Sequence, residues 1–212
     1  MVRDAVGIGL GVGAYGISFG AVATTAGLSV LQACALSLLV FTGASQFALV
    51  GVLGAGGTVL AGVASALLLG SRNALYAVRL ADLLRLRGVR RALAAHLTID
   101  ETMAMAAGAP QGLTGLAFWA TAASVYLLWN LATLVGAVAG QIIDTRAFGL
   151  DAAVGAAFLA LLRLQVHART AAGVAFGGAL LAAAAIPFTP PGVPVLVAAL
   201  AVVPAVVVRT RQ

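Results

Sequence analysis

Long uncharged apolar stretches, interrupted by short polar clusters, set the pattern of this chain. From Ala5 to Ser71 there is no formal charge. A charge in hydrocarbon is costly, so such a run measures how much chain can remain in lipid. A bilayer core about 30 Å thick takes roughly 20 helical residues per crossing, and the run therefore holds three helices. Turn residues at Gly27-Leu28-Ser29 and Gly54-Ala55-Gly56-Gly57 place them near 5–26, 30–53 and 57–80. Arg85, Arg87, Arg90 and Arg91 mark a loop, followed by a short helical piece through His96, Asp100 and Glu101 that ends near Pro110. A fourth span is expected over about 112–140, and a fifth, less apolar one near 150–168, where Arg163, Gln165 and His167 interrupt it. The last uncharged run, Thr170 to Val208, holds two helices near 170–186 and 193–208, because Pro187, Pro190, Pro191 and Pro194 cannot share one helix.

Composition agrees. Of 212 residues 62% are hydrophobic and 8% charged, whereas a soluble domain is about a quarter charged. The expected fold is an all-α integral membrane protein of about seven transmembrane helices, one domain over 1–212. All twelve basic residues are arginine and the net charge is +6. They border apolar segments without interleaved aromatics, the pattern of topology determinants rather than of nucleic-acid binding. Arginine-rich loops placed inside put the carboxyl end in the cytoplasm and, with seven crossings, the amino end outside. Arg3 is offset by Asp4 and the following stretch is rich in glycine, so the first segment reads as a helix and not as a cleaved signal. Cys34 stands alone, which leaves no disulfide framework or Cys-based metal site.

Phe19-Gly-Ala-Val-Ala23 is echoed by Val135-Gly-Ala-Val-Ala139. With the two copies facing opposite ways, half-repeats of about 5–80 and 112–186, plus an extra helix at 193–208, give a 3+3 inverted-repeat transporter. Gly9, Gly13, Gly16 and Gly20 share one stripe of the first helix and fit a close helix–helix seam. Thr42-Gly43-Ala44-Ser45-Gln46 puts a glycine and three polar side chains midway along the second helix, which predicts a broken helix 2. Freed backbone groups there, with Gly43, Ser45 and Gln46, suit a zwitterionic substrate; interhelical hydrogen-bond glue accounts for the same residues equally well. Arg72 lies near the inner interface and reads as a snorkelling residue. Asn73 and Tyr76 share its face and are candidates for lining a polar path. Thr98-Ile-Asp100-Glu101 matches a capping box, while Asp100 and Glu101 are also placed to bind a substrate ammonium or a proton. Phe41, Phe47, Leu39 and Leu75 are candidates for an apolar pocket, and Trp119, Tyr126 and Trp129 read as interface anchors or packing. Neither a metal-ligand cluster nor a nucleophile with a base emerges, so no enzyme activity and no cofactor are expected.

Four stretches resemble the AzlC family of branched-chain amino acid exporters: Gly16-Ile-Ser-Phe-Gly20-Ala, Leu38-Leu-Val-Phe-Thr-Gly-Ala-Ser-Gln46-Phe, Leu67-Leu-Leu-Gly-Ser-Arg72-Asn-Ala-Leu-Tyr76 and His96-Leu-Thr-Ile-Asp100-Glu-Thr102. The likeness runs over nearly the whole length, although Gly70-Ser-Arg72-Asn73 stands where members often read Leu-Arg-His. The resemblance implies a multi-pass permease of the cytoplasmic (inner) membrane that exports valine, leucine, isoleucine or similar amino acids. It also implies proton coupling and a small, separately encoded AzlD-type membrane subunit as partner. The alternative is a non-transporting membrane scaffold or regulatory subunit, for which the glycine stripe and polar glue suffice.

Overall fold

The computed structural model describes residues 1–142, 159, 162–163, 166 and 169–204, and over these it is all-helical. The elements are α1 (Val2–Thr25), α2 (Val30–Leu39), α3 (Gly43–Gly54), α4 (Val59–Gly70), α5 (Arg72–Leu84), α6 (Gly88–His96), α7 (Asp100–Ala107), α8 (Thr114–Ile142), α9 (Arg169–Ala185) and α10 (Val193–Ala198). Among the described residues four helices are long and apolar enough to cross a membrane: Val2–Thr25, Val59–Leu84, Thr114–Ile142 and Thr170–Phe188. The second of these is α4 and α5 running on through Ser71, whose hydroxyl donates to the Leu68 carbonyl at 2.7 Å. Large hydrophobics such as Leu31, Leu60 and Leu127 are mostly exposed, as lipid-facing positions should be.

The glycine stripe is the seam between α1 and α8. Lipid tails are as apolar as leucine, so two helices gain by packing only if their backbones come close, and small residues permit that. A methyl group added at Gly16 would lie 2.7 Å from the Trp129 carbonyl oxygen, and one at Gly13 would lie 3.1 Å from Leu128. Gly136 and Gly140 answer from α8, against Ile17 and against Ala21 and Thr24. The partners climb both helices together: Gly9 faces Ser124, Gly13 faces Leu128, Gly16 faces Ala132 and Gly20 faces Ala137. α1 and α8 therefore run in the same direction. The copies at 19–23 and 135–139 meet side by side and parallel, not in the opposite senses that the inverted-repeat reading expects.

Helix 2 is broken, as expected, but its halves do not continue one another. At ten and twelve residues, about 15 and 18 Å, neither α2 nor α3 crosses alone. Gly54, at the end of α3, lies against Ala26, at the end of α1, and Phe47 meets Phe19 edge-on with ring centroids 5.5 Å apart. α3 thus returns to the end from which α2 set out, and the pair forms a half-depth hairpin in place of the expected crossing. A left-handed Gly56 (φ 79°) then turns the chain into α4. That helix runs antiparallel to α3, with Gly62 under Leu49 and Gly70 under Ser45.

A second hairpin replaces the expected loop and short helix. Leu80 of α5, Ala94 of α6, Ala106 of α7 and Phe118 and Ala122 of α8 form one buried cluster. Both arms, α6 and α7, thus lie beside the same end of α5 and α8. Two like units follow one another, a full crossing and then a half-depth hairpin: α1 with α2–α3, and α4–α5 with α6–α7. Their hairpins enter from opposite ends. The proline-rich turn between α9 and α10 falls where expected, and Gly192 packs it against Val52 and Ala61 at the α3–α4 end. The interrupted stretch carrying Gln165 and His167 lies outside the described residues, as do the loop with Asp144, Arg146 and Asp151 and the chain beyond 204.

These directions correct the orientation. The start of α1, the α5–α6 turn and the α7–α8 turn share one end, and with it Arg3, Arg85, Arg87, Arg90 and Arg91. Among the described residues the opposite end, at the α1–α2, α3–α4 and α9–α10 turns, has no formal charge. Placing the arginines inside puts the amino terminus in the cytoplasm, the reverse of the orientation that seven simple crossings gave. A reporter active only outside the cell should stay silent when fused before Met1 and be active in the 55–58 turn; the opposite pattern would contradict this arrangement.

Candidate functional site

The first hairpin turns over at Val40, Phe41 and Thr42. The last carbonyls of a helix find no donor within it, and in a water-poor setting each one left bare costs several kcal/mol. The Gln46 side chain meets this demand: its Nε2 lies 2.9 Å from the Val40 carbonyl, 3.2 Å from that of Leu36 and 3.4 Å from that of Ser37. Ser37 is itself tied to α8 through Thr133 at 3.2 Å. At the other side of the turn α3 begins without a side-chain cap. Its first amides, from Gly43 onward, keep their donors free at the positive end of the helix dipole.

The second hairpin turns over at Leu97, Thr98 and Ile99. The expected capping box does not form. Thr98 instead donates to the Ala94 carbonyl at 2.7 Å, and the Thr102 hydroxyl accepts from the Ile99 N–H at 2.9 Å. The cap is shifted by one residue, which leaves Glu101 unused by the backbone of Thr98. The two tips meet: the Phe41 ring is 6.4 Å from His96 and 4.9 Å from Tyr126 between centroids.

Between the tips lies a cavity of about 320 Å³, within the size range of small-molecule sites. Both tips contribute, through Phe41 to Ala44 and Ile99 to Glu101; Leu69, Arg72 and Asn73 add the bend of α4–α5. Val12, Tyr15, Val125 and Trp129 come from the middles of α1 and α8, and Leu162 completes the apolar wall. The tips and the helix middles meet at one depth, so the cavity sits at the centre of the bundle. Gly43 is packed closely there, since an added Cβ would lie 3.1 Å from the Trp129 ring.

Arg72 Nη2 and Asp100 Oδ2 form an ion pair at 2.9 Å across the cavity. Arg72 does not snorkel: it joins the crossing α4–α5 to the second hairpin. The pair is incomplete, since Arg72 Nε and Asp100 Oδ1 are buried without partners, as are Asn73 Oδ1 and Trp129 Nε1. Two unpaired donors and two unpaired acceptors therefore belong to side chains around one cavity, in a protein interior where such atoms are normally satisfied. Glu101 lies beside Asp100 on the short helix α7 and is half-buried against the same cavity.

Of the sequence-derived site residues, Gly43, Asn73, Asp100 and Glu101 line the cavity. Tyr76 sits one turn beyond, close enough to Asp100 to feel its charge. Ser45 (2% exposed) and Gln46 (0%) are buried behind the wall; Ser45 accepts from Thr42 at 3.5 Å, and Gln46 serves the α2 carbonyls. Phe41 and Phe47 form part of the apolar wall, but Leu39 and Leu75 are exposed on the outside, at 74% and 73%. Sequence reasoning left Thr42, Arg72 and Trp129 out of the site, reading Thr42 as part of the break, Arg72 as snorkelling and Trp129 as an anchor or packing. Among the described residues no group of side chains is arranged to hold a metal.

A family model described as AzlC protein matches residues 7–143, the span from α1 through α8 that encloses both hairpins. A curated relative from Archaeoglobus fulgidus, described as an uncharacterized membrane protein, is 31% identical over 169 residues, covering 77% of this chain and 73% of its own length. No solved structure matches.

Gln46→Leu keeps the bulk of the side chain and removes the amide that ties the carbonyls of Leu36, Ser37 and Val40 together. It should lower stability by about 1–3 kcal/mol, read as a drop in the melting temperature of purified protein, while an unchanged melting temperature would show that Gln46 does not hold the tip.

Proposed function

The chain belongs to the AzlC family of multi-pass membrane proteins, a family associated with branched-chain amino acid transport, and we propose that it exports valine, leucine, isoleucine or similar amino acids across the cytoplasmic membrane as a secondary transporter. One observation carries the reading. The unpaired polar atoms around the cavity divide into donors and acceptors, as an amino acid divides into carboxylate and ammonium. The free amides at the start of α3, Arg72 Nε and Trp129 Nε1 suit a carboxylate, which accepts hydrogen bonds and prefers a helix N-terminus. Asp100 Oδ1 and Asn73 Oδ1 suit an ammonium, which only donates. An aliphatic side chain finds Phe41, Phe47, Val125 and Leu162, and the limited volume favours small amino acids.

Closure from both ends fits alternating access. Each hairpin reaches the cavity from its own end, so moving one tip opens the substrate to one side while the other stays shut. A small AzlD-type subunit is the expected partner, and the exposed apolar faces of the bundle leave room for it beside lipid.

Efflux of labelled valine from loaded vesicles, with the partner subunit co-expressed, tests the reading. Arg72→Gln and Asp100→Asn should each cut transport at least about tenfold, the equivalent of about 1.4 kcal/mol, because each leaves a partly buried charge without its partner and removes a group from the cavity. Leu39→Ala and Leu75→Ala, which face away from the cavity, should transport as wild type. A scaffold or regulatory role requires the first two variants to transport normally at normal protein levels, and that result would refute the site.

A further inference from the structure

The two acids of α7 stand in different electrostatic positions. Asp100 has its cation, Arg72, at 2.9 Å. Glu101 has none within ion-pairing distance among the described residues, although it lines the same cavity. Among the described residues the titratable and charged groups near it are Asp100 on its own helix, Arg72 and Tyr76 on α5, and Tyr15 across the cavity on α1, with Arg163 next in the chain to the lining Leu162; His96 and Tyr126 lie beyond the tip contact. Arg72 is already engaged with Asp100, and a tyrosine hydroxyl supplies no cation. A shielded carboxylate without a cation is expensive, and it escapes that cost by taking either a proton or a cationic ligand group.

Resting on the transport reading above, we infer that Glu101 is the coupling residue, which holds a proton when the cavity is empty and gives it up when the ammonium of the substrate arrives. The two are mutually exclusive, because a protonated carboxyl offers an ammonium no negative charge. An amino acid entering from the cytoplasm displaces the proton to that side. After the substrate leaves on the outer side, Glu101 takes a proton there and returns occupied by it. One amino acid moves out for each proton that moves in, with no other ion required. Asp100 takes no part in the proton cycle, since it is committed to Arg72; its role is to orient that guanidinium and to accept from the ammonium.

Valine binding to the purified two-subunit protein, followed by Trp fluorescence or calorimetry across neutral and mildly acidic pH, tests the assignment. For wild type, affinity should fall by about tenfold per pH unit once Glu101 is protonated, and adding valine in weak buffer should release a proton. Glu101→Gln should bind valine more weakly, with a flat pH profile and no proton release, and Glu101→Asp should restore both features with a shifted midpoint. His96→Gln should keep the wild-type profile. If Glu101→Gln retains the wild-type profile or proton release, the assignment is overturned while transport stands. If wild type neither binds nor exchanges valine, the transport reading itself fails.

Discussion

A backbone that leaves the helical conformation inside hydrocarbon must find other partners for its N–H and C=O groups. Among its described residues this chain does so at 40–42 and at 97–99, and the rest of the described architecture follows from how these two interruptions are satisfied. Each solution uses one polar side chain from the second arm of the hairpin: Gln46 reaches back to the carbonyls of α2, and Thr102 reaches back to the Ile99 amide. With those demands met locally, the first turn of α3 is left with free donors and no cap. The polar capacity that remains is directed into the cavity and not spent on the fold.

The parallel seam of α1 and α8 gives the tips something firm to rest on. Its small residues bring two full-length crossings close together, and from that seam Phe19 and Trp129 project towards the first hairpin. Phe19 packs on Phe47, Trp129 packs on Phe19, and the Trp129 ring closes on Gly43. The second hairpin is held differently. Beside the buried cluster of Leu80, Ala94, Ala106 and Phe118, it carries the Arg72–Asp100 ion pair to α4–α5, partly exposed and incompletely bonded. Both tips are packed, with Ile99 in the same buried cluster as Phe41 and Phe47, but the second also carries a polar contact that a charged ligand competes for. That asymmetry gives a substrate more leverage over the second tip than over the first.

Much of this was legible in the residues. The glycine spacing showed the seam, and the Thr42 to Gln46 cluster showed the first interruption, because glycine and polar groups together in mid-span weaken a helix and offer substitutes for its lost hydrogen bonds. The reversal after it was not legible, since only contacts between distant elements, such as Gly54 with Ala26, distinguish a hairpin from an interrupted crossing. The second hairpin was hidden by its own charges: on hydropathy alone Arg90 and Arg91 read as a loop, and Asp100 and Glu101 as part of a short helical piece outside the spans. With that hairpin missed, Arg72 was placed near an interface, and the amino terminus was assigned to the wrong end. Within the first tip the choice of side chains turned on helical phase. Gln46 falls one turn past Gly43 and faces back to α2, so Thr42, Gly43 and Ala44 meet the cavity instead.

Thiol labelling tests most directly whether the tips enclose a polar chamber at the centre of the bundle. In a Cys34→Ser background, Thr42→Cys should react with a small water-soluble thiol reagent and be protected by valine, whereas Leu39→Cys, only three residues away but turned to lipid, should not react. An unreactive Thr42→Cys, or reactivity that valine leaves unchanged while Leu39→Cys reacts freely, would contradict the account.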